Sequence, residues 1–306
     1  MTTDDTASKK PTRVYRQRDL SAPLDILTPA QKGVIIALAR YRYMTVRQLV
    51  DCGVSQSATT LRNRILYRLT KRARNNLVQY QDYFAEPANR RLSFVYALTT
   101  HGAQKAAELL ETDAASVRYP IGGITHVNDY RHREAYIDFC IALDKWAATD
   151  ESREILTLSH YFDKTGANRK GIPLHSVNRM ELADGMGLLE PDGICFLDTG
   201  TKRRALAVEI HNTTDTKRVT EQLLRHTHAI SAGHITNRLG HDKASFVLSV
   251  TLSPEASGHI RKRISAASGF DRFAPLFVFN DLQSIKAAGF GEGWVYANGE
   301  PAEIFL

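Results

Sequence analysis

The sequence predicts an α+β protein built in two parts. Residues 25–112 read as three helices, a β-hairpin and a closing helix, and residues 126–306 as a domain of mixed helices and strands. Three observations predict this. Helix starts and short apolar runs follow one another in the order ααα-ββ-α between residues 28 and 111. Beyond residue 126 the periodicities read α-β-β-β-α-β, then αβ. Within that second series, the apolar runs 194–197 and 205–210 flank a polar turn around Gly200, which is a hairpin signal with a loop of several residues.

The chain has 306 residues, enough for two domains and a sizeable core, and its composition is ordinary for a globular protein. A net charge of +7 and a pI near 9.3 favour an anionic partner. Cys52, Cys140 and Cys195 lie far apart and form no CxxC, which argues against a disulfide scaffold or a thiolate zinc site and fits a reducing cytoplasm. No apolar run approaches the ~20 residues a membrane helix needs. The polar N-terminus, MTTDDTASKKPTR, has no signal-peptide core.

Residues 1–24 are polar and basic and read as a flexible tail. Its Lys9, Lys10, Arg13, Arg16 and Arg18 serve either phosphate contact or solubility. Thr28-Pro29 is a helix start, and Val34, Ile35, Leu38 and Ala39 carry helical spacing to Tyr41. Thr45 opens a short second helix stopped near Gly53. Ser55 opens a third, with Leu61, Ile65, Leu66 and Leu69 on one face and Arg62, Arg64, Arg68, Lys71, Arg72 and Arg74 crowded along it. The runs 77–80 and 92–98 flank a polar stretch with Arg90 and Arg91, and a last helix covers 103–111. Such a domain is a winged helix-turn-helix, with the third helix placed for a DNA major groove and Arg90 and Arg91 in the wing. Winged helices also serve protein contacts and dimerisation, and a solvated basic face is the plainer reading.

Residues 113–125, with Pro120-Ile-Gly-Gly, read as a linker. A strong helix follows over 127–148, a strand over 154–162, and a long irregular stretch over 163–189. After the hairpin come a helix at 217–232, a strand at 245–252, a helix at 254–267, a strand at 276–279 and a short helix at 282–288. Asp192 sits at the start of the first hairpin strand. Glu209 lies inside the second, where a charge is costly to bury unless paired or bound to a cation. His211 is two residues on and shares its face. Two carboxylates and a third polar group on neighbouring strands can hold a hard divalent cation. The bland alternative is a surface hairpin with a turn-capping Asp192 and a solvated Glu209.

With Pro191-Asp192, then Glu209-Ile-His211, and the trailing Val-Leu-Ser-Val-Thr-Leu-Ser-Pro step, the chain resembles plasmid replication-relaxation proteins and MobC-type mobilisation relaxases. These carry a PD-(D/E)xK restriction-endonuclease-like α/β domain. The resemblance implies a mixed sheet flanked by helices, Mg²⁺ or Mn²⁺ at Asp192 and Glu209, and work on double-stranded plasmid DNA at a transfer or replication origin. It also implies a further acid from the first helix of the domain, Glu134 or, one turn on, Asp138, and it matches His132 to a family position. The family's last motif residue is Lys or Asp, and here it is His211. A degenerate, purely DNA-binding origin or regulatory protein is the alternative. An adaptor that dimerises and recruits other mobilisation proteins is a third reading. His226-Thr-His228 is set aside as a metal pair, because residues two apart on a helix point in nearly opposite directions. The Gly-rich stretch after residue 288 has no P-loop Lys and reads as a turn.

Overall fold

The computed structural model describes residues 27–71, 75–85, 90–120, 124, 129–166, 174–183, 185–213 and 215–305. The expected tail at 1–24 lies outside them, as do parts of the expected linker. The chain is a mixed α+β structure with a mixed six-stranded sheet.

The first unit starts with α1 (Pro29–Tyr41) and α2 (Val46–Asp51). Both have a capping box, in which Thr28 and Thr45 exchange hydrogen bonds with Gln31 and Gln48. Ser57 caps the third helix, α3, which runs through Ala58–Thr60, Leu61–Leu66 and Tyr67–Thr70. Its middle segment has the wider π geometry, which carries Arg62 and Arg64. Strands β1 (Val78–Gln81) and β4 (Val95–Leu98) pair antiparallel, and β2 (Phe84–Ala85) with β3 (Arg90–Arg91) extends the hairpin. Helix α4 (Thr100–Leu110) closes the unit. Gly102 is required there, since a Cβ would lie 1.9 Å from the Leu77 carbonyl oxygen.

The second unit begins with α5 (Tyr130–Ala147). Its sheet contains β5 (Glu154–His160), β6 (Gly193–Asp198), β7 (Arg203–His211), β8 (Phe246–Thr251), β9 (Phe277–Asp281) and β10 (Val295–Tyr296), in that spatial order. β5, β6 and β7 are antiparallel neighbours, whereas β7, β8 and β9 run parallel. The parallel steps are bridged by α6 (Thr216–Ser231) with α7 (His234–Leu239), and by α8 (Pro254–Ser265). Helix α9 (Leu282–Ala288) follows β9. The stretch expected to be irregular over 163–189 holds two short strand pairs, at 164–165 with 175–176 and at 180–181 with 188–189.

Alternation along each strand sorts the core into two layers. Cys195, Leu197, Leu206, Val208, Ile210, Leu248 and Val250 share a cluster with α5 and α9. Ile194, Ala205, Ala207, Val247, Phe277 and Phe279 share the other with α6 and α8. Among the described residues no helix is long and apolar enough to cross a membrane.

The first cluster also contains the core of the first unit, so the two units are joined by packing. Polar contacts reinforce the joint. Arg40 grips Asp144 at 2.7 and 3.1 Å, and Tyr41 donates to the same carboxylate. Arg42 meets Asp163 at 3.0 and 3.2 Å, and Arg47 reaches both oxygens of Asp138 at 2.8 Å. The Arg42–Asp163 pair is nearly sealed, with side-chain exposures of 14% and 7%. Removing one partner of a buried pair leaves an uncompensated charge. Arg42→Met is therefore expected to lower unfolding stability by about 3–5 kcal/mol in urea titration. An unchanged midpoint would show that the pair contributes nothing to the joint.

Candidate functional site

The β6–β7 register aligns Gly193 with Val208, so one step further Asp192 stands opposite Glu209. Directly opposed residues of an antiparallel pair project to one face. The carboxylates therefore meet across two adjacent strands, on the side covered by α6 and α8. The Asp192 backbone is held tightly: the Tyr161 N–H donates to its carbonyl at 2.8 Å, and Asn178 Nδ2 donates to the Pro191 carbonyl at 3.0 Å. Gly193 lets α5 come close, because a Cβ there would lie 2.6 Å from the Tyr136 hydroxyl. Asp192 Oδ2 accepts from the Ile210 N–H at 2.7 Å, and Oδ1 lies 2.7 Å from His132 Nε2 at the start of α5.

Glu209 has no solvent exposure. Gln222 Nε2 donates to Oε2 at 2.5 Å, and His226 Nε2 lies 2.6 Å from Oε1. Gln222 and His226 are four apart on α6, so both reach the same carboxyl group. His211, 4% exposed, follows Glu209 on the same face, and Ser249 of β8 lies beside Glu209 in the parallel register. Three buried atoms in this cluster have no hydrogen-bond partner: His211 Nε2, His226 Nδ1 and Ser249 Oγ.

Burial dominates the protonation states. Burial, then the Asp192 charge, drives the Glu209 carboxyl well above its usual range. Burial pulls His211 down to about 4 against the attraction of Asp192, with His132 adding to the fall. His226 falls to about 3, through burial and the nearby His211. Burial also opposes a charge on His132, but the Asp192 charge and hydrogen bond prevail and raise it. The ion-free site thus pairs a neutral Glu209 with a neutral His226, and a His132 that favours its proton with Asp192.

Among the described residues no three His, Cys, Asp or Glu side chains stand ready as a metal cage. Each oxygen of Asp192 and Glu209 instead faces a protein hydrogen bond. The residue types, two carboxyl groups and an imidazole, are ones that bind divalent cations, although they do not come together as a set of three. Each carboxylate oxygen keeps a further lone pair, and the unpartnered His211 nitrogen lies in the same cluster. Access is from the α5 side, where the side chains of His132 and Asp192 are 21% and 10% exposed.

The structure brings together Asp192, Glu209, His211 and His132. It does not bring Glu134 or Asp138 to them, which corrects the expectation of a helix acid at this point. Glu134 pairs with Arg131 at 3.2 Å and Arg47 at 3.6 Å. Asp138 is taken by Arg47, by Gln48 at 2.8 Å and by Lys286 at 2.5 Å. The cause is helical phase: His132 and Tyr136 face the sheet edge, and positions two residues away from each turn to the other side. Gln222 and His226 were not anticipated as partners of Glu209. The signal was there, as polar residues on the stripe of α6 that also carries Val219 and Leu223. His228 is exposed on the opposite face, as its spacing implies.

Of the basic residues expected on DNA, Arg62, Arg64, Arg68 and Lys71 are exposed on or just after α3. Arg91 is exposed, pairs with Asp82 at 2.8 Å and lies over the Phe94 ring. Arg90 lies in β3, and Arg72 lies outside the described residues.

The buried histidines contribute to acid stability. His211 and His160 have folded values near 4 against 6.5 when free, both lowered chiefly by burial. Their contribution is complete above about pH 6.5 and is lost as pH falls through about 4. Melting temperature is thus expected to fall on acidification over that window, with a shallower fall in His211→Asn. An identical acid limb in both proteins would show that His211 is not held neutral by the fold. Comparison of the chain with protein-family models, with curated proteins and with solved structures finds no match in any of the three.

Proposed function

We propose that this chain is a plasmid mobilisation or replication relaxase of the cytoplasm, with a winged helix on origin DNA and a PD-(D/E)xK-type site that nicks or relaxes it. The observation that carries this reading is the placement of Asp192 opposite Glu209 on adjacent antiparallel strands, at the end of the sheet where α5 begins. The strand order supports it too, since α5-β5-β6-β7-α6-β8 follows the core order of that nuclease fold. The exposed Arg62, Arg64, Arg68 and Lys71 supply a phosphate-binding helix on the first unit.

Asp192 and Glu209 would hold Mg²⁺ or Mn²⁺, which when bound polarises a phosphodiester and lowers the pKa of a water. His132 orients Asp192 and, on the open side of the cluster, would be the group to pass a proton to a bound phosphodiester. The Ile210 N–H fixes the second Asp192 oxygen, and Gln222 and His226 fix Glu209. His211 is neutral at physiological pH, so it does not supply the charge of the family's Lys. That neutrality and the enclosure of Glu209 favour a second reading, a DNA-binding origin protein with a silent nuclease fold.

Supercoiled origin plasmid separates the two. With Mg²⁺ or Mn²⁺ the wild-type protein is expected to convert it to open circles, and Asp192→Asn to bind it without nicking. Nicking by Asp192→Asn at the wild-type rate would remove this site as the nuclease centre. For the helix, joint neutralisation of Arg62, Arg64 and Arg68 is expected to weaken DNA binding. Each lost phosphate contact is expected to reduce the log–log salt slope by roughly 0.9. Unchanged affinity and slope would place the DNA contact elsewhere.

A further inference from the structure

The hairpin of the first unit carries aromatic rings on its surface for which the proposed function has no task. Alternation along the chain sends Tyr83 inward, buried and 5.5 Å from the Tyr130 ring, and turns Phe84 outward, 44% exposed. Phe84 stands opposite Arg91 in the β2–β3 register. The Arg91 guanidinium lies over the Phe94 ring, 4.5 Å from its centroid, and also meets Asp82 at 2.8 Å. Phe94 neighbours Tyr80, with ring centroids 5.3 Å apart. Tyr80 stands opposite Tyr96 across β1 and β4, with centroids 6.0 Å apart, and is 44% exposed whereas Tyr96 is buried. Phe84, Arg91, Phe94 and Tyr80 thus form a continuous strip on the hairpin.

Packing within the hairpin accounts for Tyr96, but not for the outer faces of Tyr80 and Phe84. Exposed apolar side chains that join into a patch mark a contact surface. The surroundings narrow the choice of partner. The Leu77 N–H donates to the Leu69 carbonyl at 3.1 Å, so β1 is tied to the last turn of α3. The exposed Arg62, Arg64, Arg68 and Lys71 lie on or just after that helix. Clustered cations, on a chain of net charge +7, repel a second copy and attract a polyanion. In a duplex the bases stack on one another, so only an unpaired strand offers their faces to a ring. We propose that the strip is a stacking platform for unpaired bases of a nucleic-acid strand. Tyr80 and Phe84 carry the bases, and Arg91 and the α3 cations serve its phosphates. The inference rests on the nucleic-acid half of the proposed function, and not on the acid cluster or on cleavage.

The platform is held from behind. The Met44 N–H donates to the Tyr96 carbonyl at 3.0 Å, and the Tyr96 N–H donates back to the Met44 carbonyl at 2.8 Å. The Thr99 N–H donates to the Leu77 carbonyl at 3.1 Å, which fixes the far end of β4. Tyr80 therefore rests on Phe94 and Tyr96, on a sheet anchored to the helical core, and little ordering is left for binding to impose. Stacking accepts every base, so the platform is expected to tolerate sequence, while the cations make the whole contact depend on salt. A strand opened beside a duplex on α3 would meet the strip at the end of that helix.

The test uses the full chain with labelled oligo(dT), oligo(U) and a DNA duplex as probes, read by fluorescence anisotropy. The chain is expected to bind oligo(dT), and Tyr80→Ala combined with Phe84→Ala to weaken that binding by at least about tenfold while duplex binding changes by less than about twofold. Tyr80→Phe, which keeps the ring, is expected to bind as the wild type does. Ultraviolet crosslinking of an iodouracil-substituted strand needs no variant, and is expected to attach to Tyr80, Phe84 or Phe94. Oligo(U) against oligo(dT) tells an RNA strand from a DNA strand, and binding of either through these rings keeps the inference. Three results would overturn it: no binding of either strand; strand binding unchanged in the double alanine variant; or crosslinks confined to other parts of the chain. Duplex binding without strand binding removes this inference and keeps α3 as the DNA contact. Strand binding through the rings without duplex binding does the reverse.

Discussion

A carboxyl group with no solvent exposure, in the third strand of a six-stranded sheet, sets the terms for the second unit. Glu209 cannot be left ionised and alone at that depth, because an isolated buried charge is among the costliest features a fold can carry. Two side chains of α6 answer it, and their spacing of four residues sets the phase of that helix against the sheet. Across the hairpin the same constraint reaches Asp192, whose charge helps to keep Glu209 protonated. Asp192 in turn is balanced by His132, which places the first turn of α5 at the end of β6. One buried acid thus ties two helices on opposite sides of the sheet to a single point.

Helix α5 carries that constraint to the first unit. Its sheet-facing side offers His132 and Tyr136. Tyr136 bonds His160 Nδ1 at 2.9 Å, and His160 Nε2 donates to the Arg40 carbonyl at 3.1 Å. That pair of bonds defines a neutral His160, in agreement with the value near 4 that burial imposes. The other side of α5 offers Asp138 and Asp144 to Arg47 and Arg40. A helix so divided cannot shift relative to the sheet without breaking contacts to α1 and α2. The exposed arginines of α3 and the acid cluster are therefore carried on units joined by packing and by these ion pairs.

The sequence made much of this legible where local chemistry decides the outcome. Thr28-Pro29 marks α1 to the residue, and Ser253-Pro254 opens α8, because capping is a property of a few neighbouring side chains. The hairpin around Gly200 and the two acids on it were also readable, since alternation along a strand determines which residues share a face. What could not be read was the phase of one element against another. Asp138 and Glu134 look like candidate ligands along the chain, yet a rotation of half a turn commits them to Arg47. His226 was legible as helical, but not as the partner of Glu209, because nothing local states which strand an amphipathic helix will cover. The irregular stretch at 163–189 hid its two-residue strand pairs for a related reason: pairs that short have no periodicity to detect.

His211 shows how burial decides between residues that look interchangeable in a motif. A Lys at a site 4% exposed would have to bring its charge into the cluster, where Asp192 is the nearby acid that favours it. Imidazole avoids that cost by losing its proton, and it keeps a lone pair in exchange. His132 lies on the open side, where Asp192 favours its proton. Burial thus lowers proton affinity on the strand, at His211, while Asp192 raises it on the helix, at His132.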